Sequence, residues 1–123
     1  MRSLLVAAAG AAVIFTIGLP AHAESLEWTF TNNSSYDAQI DFKVPGLNRW
    51  WPGRNRAYTI HQGDDRTVVL NCRDGEKICY GGWVLGNGRI YWGEGPRHNR
   101  GCSKCCVICG EGDGPPISLT DGD

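Results

Sequence analysis

What this 123-residue chain has little of narrows its chemistry first. Only two of its three histidines, His61 and His98, follow residue 23. Any Ser-His-Asp or Cys-His constellation would have to use one of them, and nothing beside either supports it. Both are expected to be surface histidines, His61 on an outward strand position and His98 in the loop PRHNRG. No second apolar run follows the first one, so no membrane span is expected later in the chain. Neither charge is in excess: setting Arg2 aside leaves 11 basic against 13 acidic residues, net −2. That balance gives no electrostatic reason to expect nucleic acid as partner. No helical stripe of useful length appears after residue 24, and no internal repeat. The Gly86-x-Gly88 pair therefore lacks the strand-to-helix setting of a dinucleotide fingerprint and is set aside.

The chain opens MRSLLVAAAGAAVIFTIGLPAHAE. One basic residue precedes an apolar run from Leu4 to Leu19, Pro20 breaks it, and Ala21-His22-Ala23 offers small residues where a signal peptidase reads. The run is 16 residues, short of the roughly 20 that a helical span needs. Residues 1–23 are expected to be a cleaved signal peptide, and 24–123 a single β domain of 100 residues, exported to the periplasm or beyond the cell. No cysteine follows the cleavage site, which disfavours a lipid anchor.

Strand patterns fill the rest. In SLEWTFT, Leu26, Trp28 and Phe30 share one face; in YDAQIDFKV, Ala38, Ile40, Phe42 and Val44 alternate with Asp37, Gln39, Asp41 and Lys43. NNSS (32–35) between them is turn chemistry and predicts a hairpin. The same residues contain overlapping N-x-S sequons, of consequence only in a glycosylating host. AYTIH (57–61) and RTVVLNC (66–72) flank a Gln62-Gly63-Asp64-Asp65 turn. KICYGGWVL (77–85) and RIYW (89–92) flank Asn87-Gly88, a strong short hairpin signal. ISLT (117–120) is a last strand, near an acidic tail. About seven strands at roughly 8–12-residue spacing predict an all-β fold, a small antiparallel β-sandwich or partly open barrel. Trp28, Trp83 and Trp92 lie inside strand patterns and are expected in the core.

All six cysteines follow residue 71: Cys72, Cys79, Cys102, Cys105, Cys106 and Cys109. Three uses compete. C-x2-C-C-x2-C offers four thiolates, but structural zinc usually draws two ligands from each of two separated knuckles, and here the two units abut. Cys102-Ser103-Lys104-Cys105 has a redox C-x-x-C form, but without the βαβ context of catalytic examples. An even count in a short exported chain favours a disulfide framework. Adjacent Cys105 and Cys106 are poor partners because the tight ring strains bridge geometry. Cys72 and Cys79 either pair across the RDGEKI hairpin, or each takes one thiol from the cluster. Disulfides are expected throughout, with no metal and no cofactor.

One further stretch stands out, LNRWWPGRNRAY (47–58). Adjacent Trp50 and Trp51 in extended chain face opposite ways, so one is expected buried and one exposed. Arg49, Arg54, Arg56 and Tyr58 surround them. Arg with Trp is the composition of interface hot spots, and exposed rings stack on sugars or apolar partners. The alternative is that both indoles pack on the core edge beneath a rim of arginines.

GEKICYGGW (75–83), YWGEG (91–95) and the C-x2-C-C-x2-C cluster, with WPGRNRAY before them, resemble a group of small exported bacterial proteins of uncharacterised function. The resemblance spans roughly residues 26–120. It implies a bacterial origin and a periplasmic or extracellular address, and it brings no catalytic or binding residues. The expectation is a monomeric, non-enzymatic binding module for an envelope glycan or protein, acting through Arg49, Trp50, Trp51, Arg54, Arg56 and Tyr58. A metal-binding or thiol-redox protein using Cys102–Cys109, and a small hydrolase, are the alternatives.

Overall fold

The computed structural model describes residues 23–122. The expected signal peptide falls on residues 1–23 and so lies, apart from Ala23, outside the described residues. Nine strands follow: β1 (Ala23–Asn33), β2 (Ala38–Lys43), β3 (Trp50–Trp51), β4 (Tyr58–Ile60), β5 (Asp65–Arg73), β6 (Lys77–Val84), β7 (Asn87–Gly93), β8 (Cys106–Ile108) and β9 (Ile117–Thr120). One sheet has the order β5-β1-β9. The other runs β3-β2-β6-β7, with β4 also on β2 and β8 also on β6. The architecture is an all-β sandwich and not a closed barrel. The two strands missing from the sequence reading, β3 and β8, are two and three residues long, too short for alternation to register.

Alternation puts Leu26, Trp28 and Phe30 of β1 opposite Ala38, Ile40 and Phe42 of β2, all buried. Val68, Leu70, Ile78, Tyr80 and Leu119 fill the space between. Trp28, Phe30, Phe42 and Tyr80 meet at centroid distances from 5.1 to 5.7 Å, tilted or edge-to-face. Such contacts add roughly 0.5–1.5 kcal/mol each beyond the area they bury.

β1 and β2 do not form the predicted hairpin. β1 pairs with β5 and β9, and β2 with β3, β4 and β6. A hairpin would lay both apolar faces side by side on one sheet with nothing to cover them. Placing one strand in each sheet buries them against each other. Asn32, fully buried, holds this crossover. Its Nδ2 donates to the carbonyls of Tyr36 (2.7 Å) and Ile60 (2.8 Å), and its Oδ1 accepts from Ser34 N and Oγ. The antiparallel expectation also departs at β9, which runs parallel to β1 from Phe30↔Ile117 to Asn33↔Thr120. The β6–β7 hairpin forms, but turns at Leu85-Gly86 and not at Asn87-Gly88. Asn87 is already paired with Val84, and Gly86 supplies the left-handed φ of 84°.

Three disulfides divide the cysteine cluster: Cys72–Cys109, Cys79–Cys106 and Cys102–Cys105. Cys72 and Cys79 each take one thiol from it. Their direct pairing fails because β5 and β6 lie in different sheets. Cys72–Cys109 ties the two sheets together, and Cys79–Cys106 fastens β8 to β6. Residues 94–105 then cross the outer face of the β2–β6 sheet as a third layer. Gly81 makes room for it: a Cβ there would collide with the carbonyl of Gly95 and press on His98 Nε2.

Candidate functional site

The third layer builds a cleft of about 510 Å³ on the outer face of the larger sheet. The β2–β6 register places Gln39 beside Trp83 and Asp41 beside Gly81, and the β2–β3 register places Trp50 beside Lys43. All of these side chains share the parity opposite to the core. The turn residues Arg54, Asn55 and Arg56 form one wall, and Pro96 of the third layer forms the other.

Beneath the cleft lies a buried chain of three ionisable groups. His98 Nε2 is 2.7 Å from Asp41 Oδ1, and His98 Nδ1 is 2.8 Å from Glu94 Oε1. The imidazole is 2% exposed and the Asp41 carboxylate 9%. Burial pulls the imidazole towards neutrality, but the hydrogen bonds and charges of Asp41 and Glu94 outweigh it and hold the His98 pKa above the ordinary value. Burial in turn pushes the Asp41 carboxyl up, against the opposing pull of His98 and Lys43. An imidazolium donating one N–H to each carboxylate satisfies all three groups. It also holds residue 98 in the left-handed region, φ 51°, which β-carbon-bearing residues seldom adopt. His98 is therefore no surface histidine. The sequence could not show this, because its partner Asp41 is 57 residues away. His61 is exposed, 3.5 Å from Asp37.

Trp50 stands edge-on to the His98 ring at 5.5 Å, with Lys43 Nζ 4.9 Å from its centroid. Trp83 donates its indole N–H to Gln39 Oε1 at 3.1 Å. That bond orients the Gln39 amide, whose nitrogen has no partner among the described residues. Trp83 thus lies outside the core in which sequence reading placed it. Every face of KICYGGWV is covered, by core on one side and third layer on the other, so no alternation revealed its parity. Trp28 is core, and Trp92 is half-buried against it, donating to Thr120 O at 2.8 Å.

The six residues singled out around position 50 divide in two. Trp50, Arg54 and Arg56 line the cleft. Trp51 points to the core side, packs on it and donates to Asn71 O at 3.1 Å. Arg49 lies 4.7 Å over the Trp51 ring and pairs with Glu76 at 2.6 Å, a rim arginine. Tyr58 packs on Phe42 at 5.9 Å beneath Arg66. A shallower groove of about 560 Å³ lies along Glu24, Asn71 and Arg73, but no aromatic ring lines it and its Arg49 is committed to Glu76.

The cleft thus combines two half-buried indoles, two guanidinium groups without carboxylate partners among the described residues, and the oriented Gln39 amide. Among the described residues the cleft lining holds one carboxylate, Asp41. The sulfurs of Cys79 and Cys106 approach the Glu94 carboxylate closely enough to suggest a metal site. They are bonded to each other, however, and a disulfide is no thiolate ligand. Comparisons with known protein families, with curated proteins and with solved structures find no match to this chain.

Proposed function

We propose that the protein is an exported, disulfide-stapled binding domain that holds a carbohydrate of the cell envelope or extracellular space in the Trp50–Trp83 cleft. One observation carries this reading: the indoles of Trp50 and Trp83 share a cleft with Arg54 and Arg56, which have no carboxylate partner among the described residues. Sugar rings present apolar C–H faces to indoles and hydroxyls to amides and guanidinium groups. Export is supported by the N-terminal pattern, by the resemblance to small exported bacterial proteins, and by the pairing of all six cysteines, which suits an oxidising compartment. No helix among the described residues is long and apolar enough to cross a membrane.

Tryptophan fluorescence during titration with envelope oligosaccharides tests the reading. Binding partners should shift the emission, and Trp50→Ala and Trp83→Ala should each weaken binding about tenfold or more, the scale of a stacking hot spot. Unaltered affinity in both variants, with the fold intact by circular dichroism, would refute the site.

A further inference from the structure

Charge in this chain is segregated by position. No Asp or Glu occurs between residues 42 and 63, a stretch with Lys43, Arg49, Arg54 and Arg56. From Lys77 to Gly110 the one acidic residue is Glu94, and it is bound to His98. The acids gather instead on β1, on the turns around β5 and on the C-terminal segment, as Glu24, Glu27, Asp64, Asp65, Asp113 and Asp121. A chain of formal net charge −1 thus presents a basic face on the β2–β6 sheet.

That face has a second cleft, of about 280 Å³, whose lining includes Arg89, Arg97, Asn99 and Arg100. Pro96 lines both clefts, so they meet at it. Five of the eight arginines after residue 23 line the pair. Among the described residues none of the five has a carboxylate within ion-pair distance, and Arg100 lies 5.0 Å from the Tyr91 ring. The remaining three behave differently: Arg49 pairs with Glu76, Arg66 lies over Tyr58 and donates to Thr59 O, and Arg73 lies close enough to Glu76 to lower its pKa.

Resting on the binding reading above, we infer that the ligand is an acidic oligosaccharide that runs from the Trp50–Trp83 cleft across Pro96 into the arginine-lined cleft. Guanidinium groups match carboxylate and sulfate geometry with two parallel hydrogen bonds. Clustered arginines repel one another until an anion enters between them. The indoles supply stacking for the sugar ring between the anionic groups. Gln39 and Asn55 amides and the Asp41 carboxylate at the floor suit the hydroxyls of a sugar.

The test is calorimetric titration of the full domain with four probes: an oligogalacturonate, a heparin-derived oligosaccharide, a neutral oligosaccharide of equal length, and a single-stranded oligonucleotide. One acidic sugar should bind about tenfold or more tighter than the neutral one, and its affinity should fall with added salt. Which acidic sugar binds separates carboxylate from sulfate. The double variant Arg89→Gln/Arg97→Gln, at exposed positions, should lose about tenfold for the long acidic probe and nothing for its disaccharide. Equal binding of the neutral sugar would overturn the inference and leave the binding reading standing. So would unaltered affinity of the double variant. An oligonucleotide bound as tightly as the acidic sugar would reduce the face to an unspecific cation field. Failure of all sugars would remove both readings.

Discussion

Along β5 every second side chain, from Asp65 and Thr67 through Val69 to Asn71 and Arg73, stands in water, and among the described residues no further layer covers that side of the β5–β1–β9 sheet. The corresponding side of β2 and β6 carries Asp41, Cys79 and Gly81 beneath residues 94–105, with a disulfide, a buried imidazole and a cleft. Both sheets obey the same period-two rule. In the first, the outward positions are a solvated back. In the second, they are the floor of another buried layer, and polar outward residues become buried ionic groups. The outer side of the first sheet is solvated; that of the second is covered and carries the cleft.

That contrast is open to measurement. The largest effect belongs to the scaffold core: Trp28→Ala should cost about 3–5 kcal/mol in urea unfolding. Trp83→Ala on the outer face should cost about 1 kcal/mol and, on the proposed reading, weaken binding about tenfold or more. Comparable losses from the two would erase the distinction between faces. The disulfides come next. Cys72–Cys109 spans a sequence separation of 37 and Cys102–Cys105 one of 3. On chain entropy, replacing the first pair by alanines should cost about 4 kcal/mol and the second about 2. The reverse order would mean that the third layer, and not the sheet-to-sheet staple, limits stability.

A smaller effect separates the two ionic clamps by pH. The folded-state pKa of His98 lies above its ordinary 6.5, so its contribution is complete below that value and is lost as pH rises through the folded pKa. The groups facing the ring are Asp41, Glu94 and the Trp50 indole, with Lys43 beyond. Trp50 emission should therefore report loosening of the outer layer on the alkaline side, and His98→Gln should abolish that transition. At the first sheet, burial opposes ionisation of Glu76, but hydrogen bonds from Arg49 and the Arg73 N–H prevail and lower its pKa below 4.5. Its stabilisation is present above 4.5 and fades as pH falls through the folded value. A pH-independent Trp50 signal between neutral and alkaline conditions would deny the His98 clamp its role. Least of all, Arg54→Gln should leave stability within about 0.5 kcal/mol, since the residue is exposed and has no carboxylate partner among the described residues. A larger loss would place Arg54 in the scaffold.

What was legible in the chain follows the same divide. β1, β2 and β5 each have one wet or lightly covered face, so their alternation was plain, and with it the all-β class. β6 is covered on both faces and reads as an unbroken apolar run, which hid the outward turn of Trp83. The cysteine count announced staples, but their map depended on β5 and β6 joining different sheets. The Asp41–His98–Glu94 bridge left no local signal, since a single histidine in a glycine-rich loop looks the same whether or not a carboxylate waits under it. Trp50 and Arg54 stood out because aromatic and cationic residues crowd one short turn, and both line the cleft. Trp51 and Tyr58 shared that composition, and only the strand parity sent them inward.

The pairing of β9 with β1 has a consequence for the protection of the smaller sheet. Among the described strands β1 sits at the centre of that sheet, between β5 and β9. The segment just before β9 also seals the largest core residue: Gly114 lies against the Trp28 ring with no room for a Cβ, and Pro115 O accepts the Trp28 indole N–H at 2.8 Å. A chain that stops near residue 112 would keep all six cysteines and both clefts, yet leave a strand edge unpaired and an indole uncovered. Such an edge recruits other chains. Residues 114–120 therefore act as a cover, closing in one short segment both a strand edge and the indole at the heart of the core.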